Sequence, residues 1–347
     1  MASFYDEDYK FIPDYSSVCD YIFESSIQIP QNYDGKIYHS GRNSRRIMSE
    51  PNIPSVPRNF DKSKQKIIDY LVLESLKKHT IMITRKIAGL PDGIASGIYV
   101  QYEGKEYIFT AGHTFSQFTL DELYLYLDTS YYISNCKGII WTPCKKDDFH
   151  VLDYSIIYVD DPLKSELQKS NYVPFDITDS LKFNHNGIYN FYYGYPASFN
   201  KANKYKKATN KKPLCFELEF DESLLQCKTL SDINSENTDI DYLDSSYNEY
   251  DKRLIETQDI GTQKTYNMPD LHGMSGCGIW RFKDYPFNEK KYFLEGMFLG
   301  DNVSHDKLYF DKLTSIIKYW NLLKSKIQDD KMNIDKMISF LPKKEQM

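Results

Sequence analysis

The sequence contains no long apolar run. None of its stretches approaches the roughly 20 apolar residues that a membrane-spanning helix requires. The first nine residues, Met1 to Tyr9, are acidic, whereas a secretory signal would be basic and then apolar. We therefore expect no contact with a membrane and a cytoplasmic location.

An excess of positive charge is also missing. The 347 residues include 43 Lys and Arg against 49 Asp and Glu, which gives a net charge of −6. Nucleic-acid-binding domains carry a basic surface that neutralises phosphates. We therefore expect no nucleic acid among the partners of this chain.

Cysteine is scarce, and its spacing does not suit a metal site. No pair forms Cys-x-x-Cys, and no His-rich segment accompanies the six cysteines. Six thiols could form three disulfides, but free thiols fit a cytoplasmic protein better. The sequence therefore predicts neither a metal nor another cofactor. The cysteines are Cys19, Cys136, Cys144, Cys215, Cys227 and Cys277.

Three short strings carry the side chains of a nucleophilic hydrolase. They are Thr-Ala-Gly-His ending at His113, Asp-Tyr-Ser-Ile-Ile beginning at Asp153, and Gly-Met-Ser-Gly around Ser275. A serine hydroxyl is a weak nucleophile that needs an imidazole base, and the imidazole needs a carboxylate to orient it and stabilise its charge. The three strings therefore predict a catalytic triad of His113, Asp153 and Ser275.

The order of these strings resembles that of the trypsin-like serine peptidases, which have the chymotrypsin fold. A Gly-Tyr-Pro string at 194–196 and the strand pattern at 294–301 are similar to segments of the bacterial members. The resemblance implies a mainly β protein with two six-stranded antiparallel β-barrels, preceded by an extension and a helix and followed by a C-terminal helix. It also implies an intracellular bacterial type with a Gly-Met-Ser-Gly turn around the nucleophile.

The glycines around Ser275 have a role of their own. Gly273 and Gly276 allow backbone conformations that a Cβ forbids, so the N–H groups of Gly273 and Ser275 can converge on one point. Two such donors stabilise the oxyanion of a tetrahedral intermediate. Gly273 and Ser275 are therefore the predicted oxyanion hole.

The resemblance also implies a substrate-binding pocket. It places Pro269 and Asp270 near the pocket floor, His272 near its rim and Asp301 on its wall. Two acids favour a basic residue before the scissile bond, whereas His272 would favour an acidic one. Both preferences remain open at the level of the sequence.

Met274 separates this chain from the secreted digestive members of that family. They carry an aspartate at this place, which pairs with a newly freed N-terminus, and a methionine cannot form that ion pair. We therefore expect activity to be controlled by a protein partner, a rearrangement or the N-terminal region.

The pattern along the chain predicts four parts. Two charged stretches, the basic 201–212 and the acidic 231–251, are expected to be exposed loops, although the acidic one could instead overhang the cleft. The parts are a partly flexible extension at 1–60, a helix at 61–79 packing on the peptidase, a peptidase domain at 80–326 with barrels at about 80–170 and about 186–312, and a tail at 327–347.

Three functions fit these residues. The first is a serine endopeptidase that cleaves a protein partner through an acyl-enzyme, as in bacterial defence or stress systems. The second is a catalytically silent protein-binding module on a peptidase fold. The third is an esterase-like acyl hydrolase, which would use the same chemistry on other substrates.

Overall fold

The computed structural model describes twenty segments of the chain, and it is mainly β within them, with two large sheets and a few helices. The described residues are 29–30, 35, 37–39, 62–87, 89–116, 123–127, 132–134, 139–141, 153–182, 189–203, 208–209, 211–219, 225–229, 241–246, 255–259, 262–266, 271–282, 292–302, 307–318 and 320–321.

The strands of the described residues are, in chain order, β1 (Ile37–His39), β2 (Thr80–Ile87), β3 (Leu90–Tyr102), β4 (Lys105–Ala111), β5 (Leu123–Tyr126), β6 (Tyr132–Ser134), β7 (Ile139–Trp141), β8 (Tyr154–Tyr158), β9 (Phe175–Asp176), β10 (Tyr189–Gly194), β11 (Ala202–Asn203), β12 (Ala208–Thr209), β13 (Leu214–Glu219), β14 (Leu225–Thr229), β15 (Asp241–Ser246), β16 (Ile255–Asp259), β17 (Thr262–Tyr266), β18 (Gly278–Phe282), β19 (Tyr292–Asn302) and β20 (Lys307–Lys312). The helices are α1 (Lys62–Lys77), α2 (His113–Ser116), α3 (Asp161–Lys169) and α4 (Thr178–Lys182), and residues 313–318 and 320–321 are also helical.

The two large sheets are antiparallel apart from one parallel pair in each. The first has the order β6-β5-β2-β3-β4-β8-β7, with β9 added in parallel to β3. The second has the order β1-β13-β10-β18-β19-β20-β15-β14, with β1 parallel to β13. Each sheet has eight described strands where six were predicted, because strands of two or three residues such as β9 and β1 are too short to give a sequence pattern. Closure of the sheets into barrels stays a prediction.

A tight hairpin joins β3 to β4. Glu103 and Gly104 form its two-residue loop with φ values of 50° and 74°, the left-handed pair that matches the twist of a tight hairpin. The strand residues Ile98, Tyr99 and Val100 are fully buried. This hairpin leads directly to His113, since β4 ends two residues before it.

Four apolar clusters are present among the described residues, and the smallest joins Met82 and Tyr126 of the first sheet to Tyr195. One lies within the first sheet, around Tyr99 and Ile108, and another within the second, around Tyr192 and Phe298. A third cluster contains side chains of both sheets together with buried residues of α1 and of the C-terminal helical segment. The two sheets therefore pack on each other. The helical residues in that cluster are Val72, Leu73, Leu76, Leu313, Ile316, Ile317 and Trp320.

α1 covers Lys62–Lys77 within the predicted 61–79, and the described residues 313–318 and 320–321 are helical, while the predicted division into domains stays a prediction. α3 and α4 were not predicted. The expectation that 231–251 is only a loop was wrong, because residues 241–246 form β15, which pairs with β20. Sheet hydrogen bonds to a distant strand determine this element, and an acidic composition does not reveal them.

Two further findings concern the described residues only. Cys215 and Cys277 are free and buried, as expected for these two. No helix in these segments combines the length and the apolarity needed to cross a membrane.

Candidate active site

His113 and Asp153 meet where two neighbouring strands of the first sheet, β4 and β8, end and begin. β4 and β8 are antiparallel neighbours, with Ala111 opposite Tyr154, so the end of β4 lies beside the start of β8. His113 follows β4 by two residues and Asp153 immediately precedes β8. The sheet register therefore brings together two residues that are 40 positions apart in the chain.

The Asp153 carboxylate contacts His113 through both of its oxygens. His113 Nδ1 lies 2.5 Å from Oδ2, and the backbone N–H of His113 donates to Oδ1 at 2.7 Å. The backbone carbonyl of Asp153 also accepts from the N–H of Gly112 at 3.1 Å. Asp153 is almost fully buried, while the imidazole of His113 is 19% exposed. The pair has one end in the protein interior and the other at the surface of the cleft.

A second carboxyl group lies behind Asp153. Asp311, on β20, accepts the backbone N–H of Asp153 at 2.9 Å and is itself buried. Burial raises the pKa of Asp311 to about 8, and the negative charge of Asp153 acts in the same direction against the opposing effect of the hydrogen bond. Asp311 is therefore neutral at pH 7.

In the turn around Ser275, the carbonyl groups of residues 272–275 are all paired. The carbonyl of His272 accepts from Ala197 N–H at 2.6 Å, and that of Met274 accepts from Cys277 N–H at 2.9 Å. The carbonyls of Gly273 and Ser275 both accept from Ser96, as described below. Because a trans peptide group is rigid, fixing a carbonyl also fixes the direction of the next N–H.

Along the same turn, every second N–H group donates a hydrogen bond to a backbone carbonyl. Met274 N–H donates to Leu271 at 2.8 Å and Gly276 N–H donates to Phe298 at 2.7 Å. Within the described segments, no acceptor is present for the N–H groups of Gly273 and Ser275. Each points away from a carbonyl that is held on the opposite side of its peptide group. These are the two donors that the sequence predicted for an oxyanion hole.

Gly276 brings the turn against the edge that carries His113. Its φ is +86°, and a Cβ added there would lie 2.2 Å from the carbonyl oxygen of Ser96, 2.3 Å from Thr110 Oγ1 and 2.9 Å from the N of Ala111. Thr110 and Ala111 are the last residues of β4. Ser275 therefore lies next to the strand end that positions His113, and it is partly exposed.

Met274 points away from the cleft into the core of the second sheet. Its side chain is fully buried in the cluster that contains Tyr192, Phe298 and Cys277. A Cβ on Gly194 would lie 3.1 Å from its sulfur, so the glycine of the Gly-Tyr-Pro string leaves room for it. The turn is thus anchored by apolar contacts at the residue where an ion pair was excluded.

The other predicted pocket residues are less completely described. His272 is exposed beside the turn, and the backbone of Asp301 lies on β19 opposite Leu308. Pro269 and Asp270 lie outside the described residues. The predicted specificity pocket stays a prediction, and its preference for a basic or an acidic residue stays open.

Ser96 and Asp311 were missed by sequence reasoning. Both are polar residues inside buried strands, which is the one signal that could have drawn attention to them. Among the described residues, no group of three or more His, Cys, Asp or Glu side chains could hold a metal ion.

Comparisons with known proteins gave matches among solved structures only. No family model matches the chain, and no curated protein matches it. A scabies mite inactivated protease paralogue is 11% identical, with a TM-score of 0.38, covering 72% of this chain and 96% of the other. The inactive form of a serine-to-alanine mutant of Rv3671c from M. tuberculosis H37Rv is 10% identical, with a TM-score of 0.41, covering 79% and 98%. A structure of the Sesbania mosaic virus VPg protein is 12% identical, with a TM-score of 0.38, covering 70% and 90%.

Proposed function

We propose that this protein is a serine endopeptidase of the trypsin-like type, with Ser275 as nucleophile, His113 as general base and Asp153 as the residue that orients His113. The observation that carries the proposal is the pairing pattern of the turn. The carbonyls of residues 272–275 are held, and the N–H groups of Gly273 and Ser275 have no acceptor within the described segments.

The chemistry follows from these positions. Asp153 accepts the Nδ1 proton of His113, which leaves Nε2 as the nitrogen that takes the proton from Ser275. Ser275 Oγ attacks the carbonyl carbon of the peptide bond, and the oxygen that becomes negative accepts from Gly273 and Ser275 N–H. Collapse of this intermediate breaks the C–N bond, and His113 gives its proton to the leaving amine. Water, deprotonated by His113, then hydrolyses the acyl-enzyme and regenerates Ser275.

The electrostatics of the pair suit this cycle. A buried carboxylate that accepts two hydrogen bonds from one histidine keeps the ring in a single tautomer and stabilises the imidazolium. The exposed portion of His113 lies where a substrate would reach it. No metal or other cofactor enters these steps.

Labelling with a fluorophosphonate tests the proposal directly. We expect one adduct, located on Ser275 by peptide mass analysis, and none in Ser275→Ala. His113→Ala and Asp153→Asn should each lower the labelling rate by about 10⁴-fold, the effect of removing the base or of reversing its tautomer in other triads. Ser155→Ala, at a buried serine on β8, is the control and should label as the parent does. Absence of labelling in the folded parent would support the silent binding module instead.

Substrate profiling separates a peptidase from an esterase. We expect cleavage of a denatured protein or a peptide library by the parent and none by Ser275→Ala. Hydrolysis of esters alone, with no peptide cleaved, would favour the acyl hydrolase.

The proposed natural substrate is a protein partner, with an activating protein or complex as a further partner, in a bacterial defence or stress system. The Ser275→Ala variant would bind the substrate without cleaving it. We therefore expect this variant to capture one protein, and we expect the parent to cleave that same protein into two fragments. Capture without such cleavage by the parent would argue against the peptidase.

A further inference from the structure

Ser96 lies on β3 of the first sheet and is fully buried. Its backbone N–H donates to the carbonyl of Ser275 at 2.9 Å, and its hydroxyl donates to the carbonyl of Gly273 at 3.0 Å. The hydroxyl also accepts the N–H of Tyr195 at 2.8 Å, and the carbonyl accepts Thr110 Oγ1 at 2.6 Å. Every polar group of Ser96 is thus used, and three of the four contacts reach residues 195 and 273–275.

The two carbonyls held by Ser96 lie on either side of Met274. The peptide group between Met274 and Ser275, which carries the Ser275 N–H, is therefore enclosed by two peptide groups that one residue fixes. The hydroxyl contact is the more consequential of the two. Gly273 has a φ of +91° and no Cβ, so its flanking peptide groups are the ones that could rotate at low cost.

The surroundings explain why a serine and not a larger residue occupies this position. A Cβ on Gly194 would come within 2.8 Å of Ser96 Oγ, and a Cβ on Gly276 within 2.2 Å of the Ser96 carbonyl oxygen. The turn and the strand approach each other closely enough that only a small side chain with one hydroxyl fits between them. An alanine would fit equally well but would leave the Gly273 carbonyl and the Tyr195 N–H without this partner.

We infer that Ser96 is a positioning residue for the nucleophile turn. Its hydroxyl holds the Gly273 carbonyl and so fixes the peptide group that joins the two donor peptide groups, which makes the Gly273 and Ser275 N–H groups face the same oxyanion. The inference rests on the proposed function and deepens it. Ser96 touches neither the substrate nor the reacting atoms; it acts through Gly273. The hydrogen bonds of Ser96 fix the turn from within the folded chain, so this arrangement does not require an ion pair with a newly freed N-terminus.

Steady-state and burst kinetics on a p-nitrophenyl ester test the inference. We expect Ser96→Ala to lower kcat and the rate of acylation about 10- to 100-fold, with KM changed less than about twofold, because the oxyanion contacts form in the transition state. Ser180→Ala is the matched control. Ser180 is also a buried serine whose hydroxyl accepts a backbone N–H, from Leu294 at 3.0 Å, but it lies on α4 away from the turn. It should leave kcat unchanged.

A peptide aldehyde gives a second measurement, because its adduct with Ser275 places an oxyanion in the site. Ser96→Ala should raise the inhibition constant of the aldehyde by about the factor by which it lowers kcat. The matching alcohol, which forms no covalent adduct, should bind Ser96→Ala as tightly as it binds the parent. If Ser96→Ala does not fold, Ser96→Cys, which keeps an atom in the hydroxyl position, is judged by the same criteria.

The outcomes separate this inference from the proposed function. A Ser96→Ala protein with the kcat of the parent overturns the inference and leaves the proposed function intact if Ser275→Ala is inactive. Equal losses in Ser96→Ala and Ser180→Ala, each matched by a lower melting temperature, also overturn it by showing a general packing effect. A parent that is neither acylated nor inhibited overturns both.

Discussion

The carboxyl group of Asp311 accepts a hydrogen bond from the backbone N–H of Asp153 at 2.9 Å, and both residues are buried. Asp153 is therefore held from two sides, by His113 at the cleft and by Asp311 in the interior. Burial raises the pKa of Asp311 to about 8, and the nearby charge of Asp153 adds to this effect.

The first prediction concerns stability against pH. In the unfolded chain Asp311 ionises above its ordinary pKa of 3.8, whereas in the folded protein it stays neutral up to about pH 8. The unfolded state therefore releases a proton that the folded state keeps, and the contribution of Asp311 to stability is lost as the pH rises from about 4 to about 8. Asp311→Asn keeps an acceptor oxygen but cannot ionise. We expect it to gain stability relative to the parent over that range, by up to about 1.4 kcal/mol per pH unit.

Urea unfolding at several pH values between 5 and 8 measures this difference. Asp179→Asn, at an exposed position on α4, serves as the control. Its free energy of unfolding should change with pH in the same way as that of the parent. A constant difference between Asp311→Asn and the parent across the pH range would show that Asp311 is already ionised in the folded protein.

The second prediction concerns the anchor of the turn. Met274→Leu conserves volume and apolarity, so its cost should be below about 1.5 kcal/mol and fluorophosphonate labelling should persist. Met274→Asp would bury a carboxyl group in the cluster around Tyr192 and Phe298, and the loss should exceed about 3 kcal/mol or prevent labelling. Thermal unfolding together with the labelling rate tests both. Normal labelling of Met274→Asp would mean that the turn does not depend on this apolar contact.

The third prediction separates backbone strain from close approach. Gly276 and Gly104 have similar left-handed φ values, +86° and +74°, but a Cβ on Gly276 collides with Ser96 and Thr110, whereas Gly104 has no atom within 4 Å. Gly104→Ala should cost about 1 kcal/mol and leave labelling intact. Gly276→Ala should abolish labelling of Ser275, since the turn must move away from the end of β4. Comparable labelling of the two variants would refute the close contact between turn and strand.

The fourth prediction concerns acid stability. His79 is buried, donates from Nδ1 to the Val173 carbonyl at 2.6 Å and accepts at Nε2 from the Tyr292 hydroxyl at 2.8 Å. Burial lowers its pKa to about 4 from 6.5, so the unfolded chain binds a proton over this range that the folded protein does not. Stability should therefore fall as the pH drops from about 6.5 to about 4. His79→Gln should show a flatter decline in urea unfolding over this range, and an unchanged slope would assign the acid sensitivity to other groups.

The candidate site residues could be proposed from the sequence because each occurs in a short string. Thr-Ala-Gly-His, Asp-x-Ser-Ile-Ile and Gly-x-Ser-Gly each combine a polar side chain with the strand end or turn that presents it, and His113 and Asp153 are in contact. Their catalytic roles stay a proposal. The hairpin at Glu103 and the helix α1 were likewise local signals. The acidic 231–251 was misread because β15 forms only through pairing with β20.

The supporting residues could not be predicted in this way. Ser96 is 177 positions from Gly273, and Asp153 is 158 positions from Asp311. A serine within an apolar strand or an aspartate before a helix has many possible roles, and no local pattern names its partner. Only the packing of the second sheet against the first assigned them to the turn and to the triad.

The sequence by itself determined which side chains are the candidates for the proposed chemistry and the order in which they occur, since those properties reside in residue type and spacing. The tertiary structure alone decided how they are held. Sheet register placed His113 beside Asp153, and close packing between the sheets directed the hydroxyl of Ser96 and the carboxyl of Asp311 toward them. Hydrogen bonds between residues so far apart in the chain form only after the apolar cores have aligned the strands, and so they depend on the whole fold.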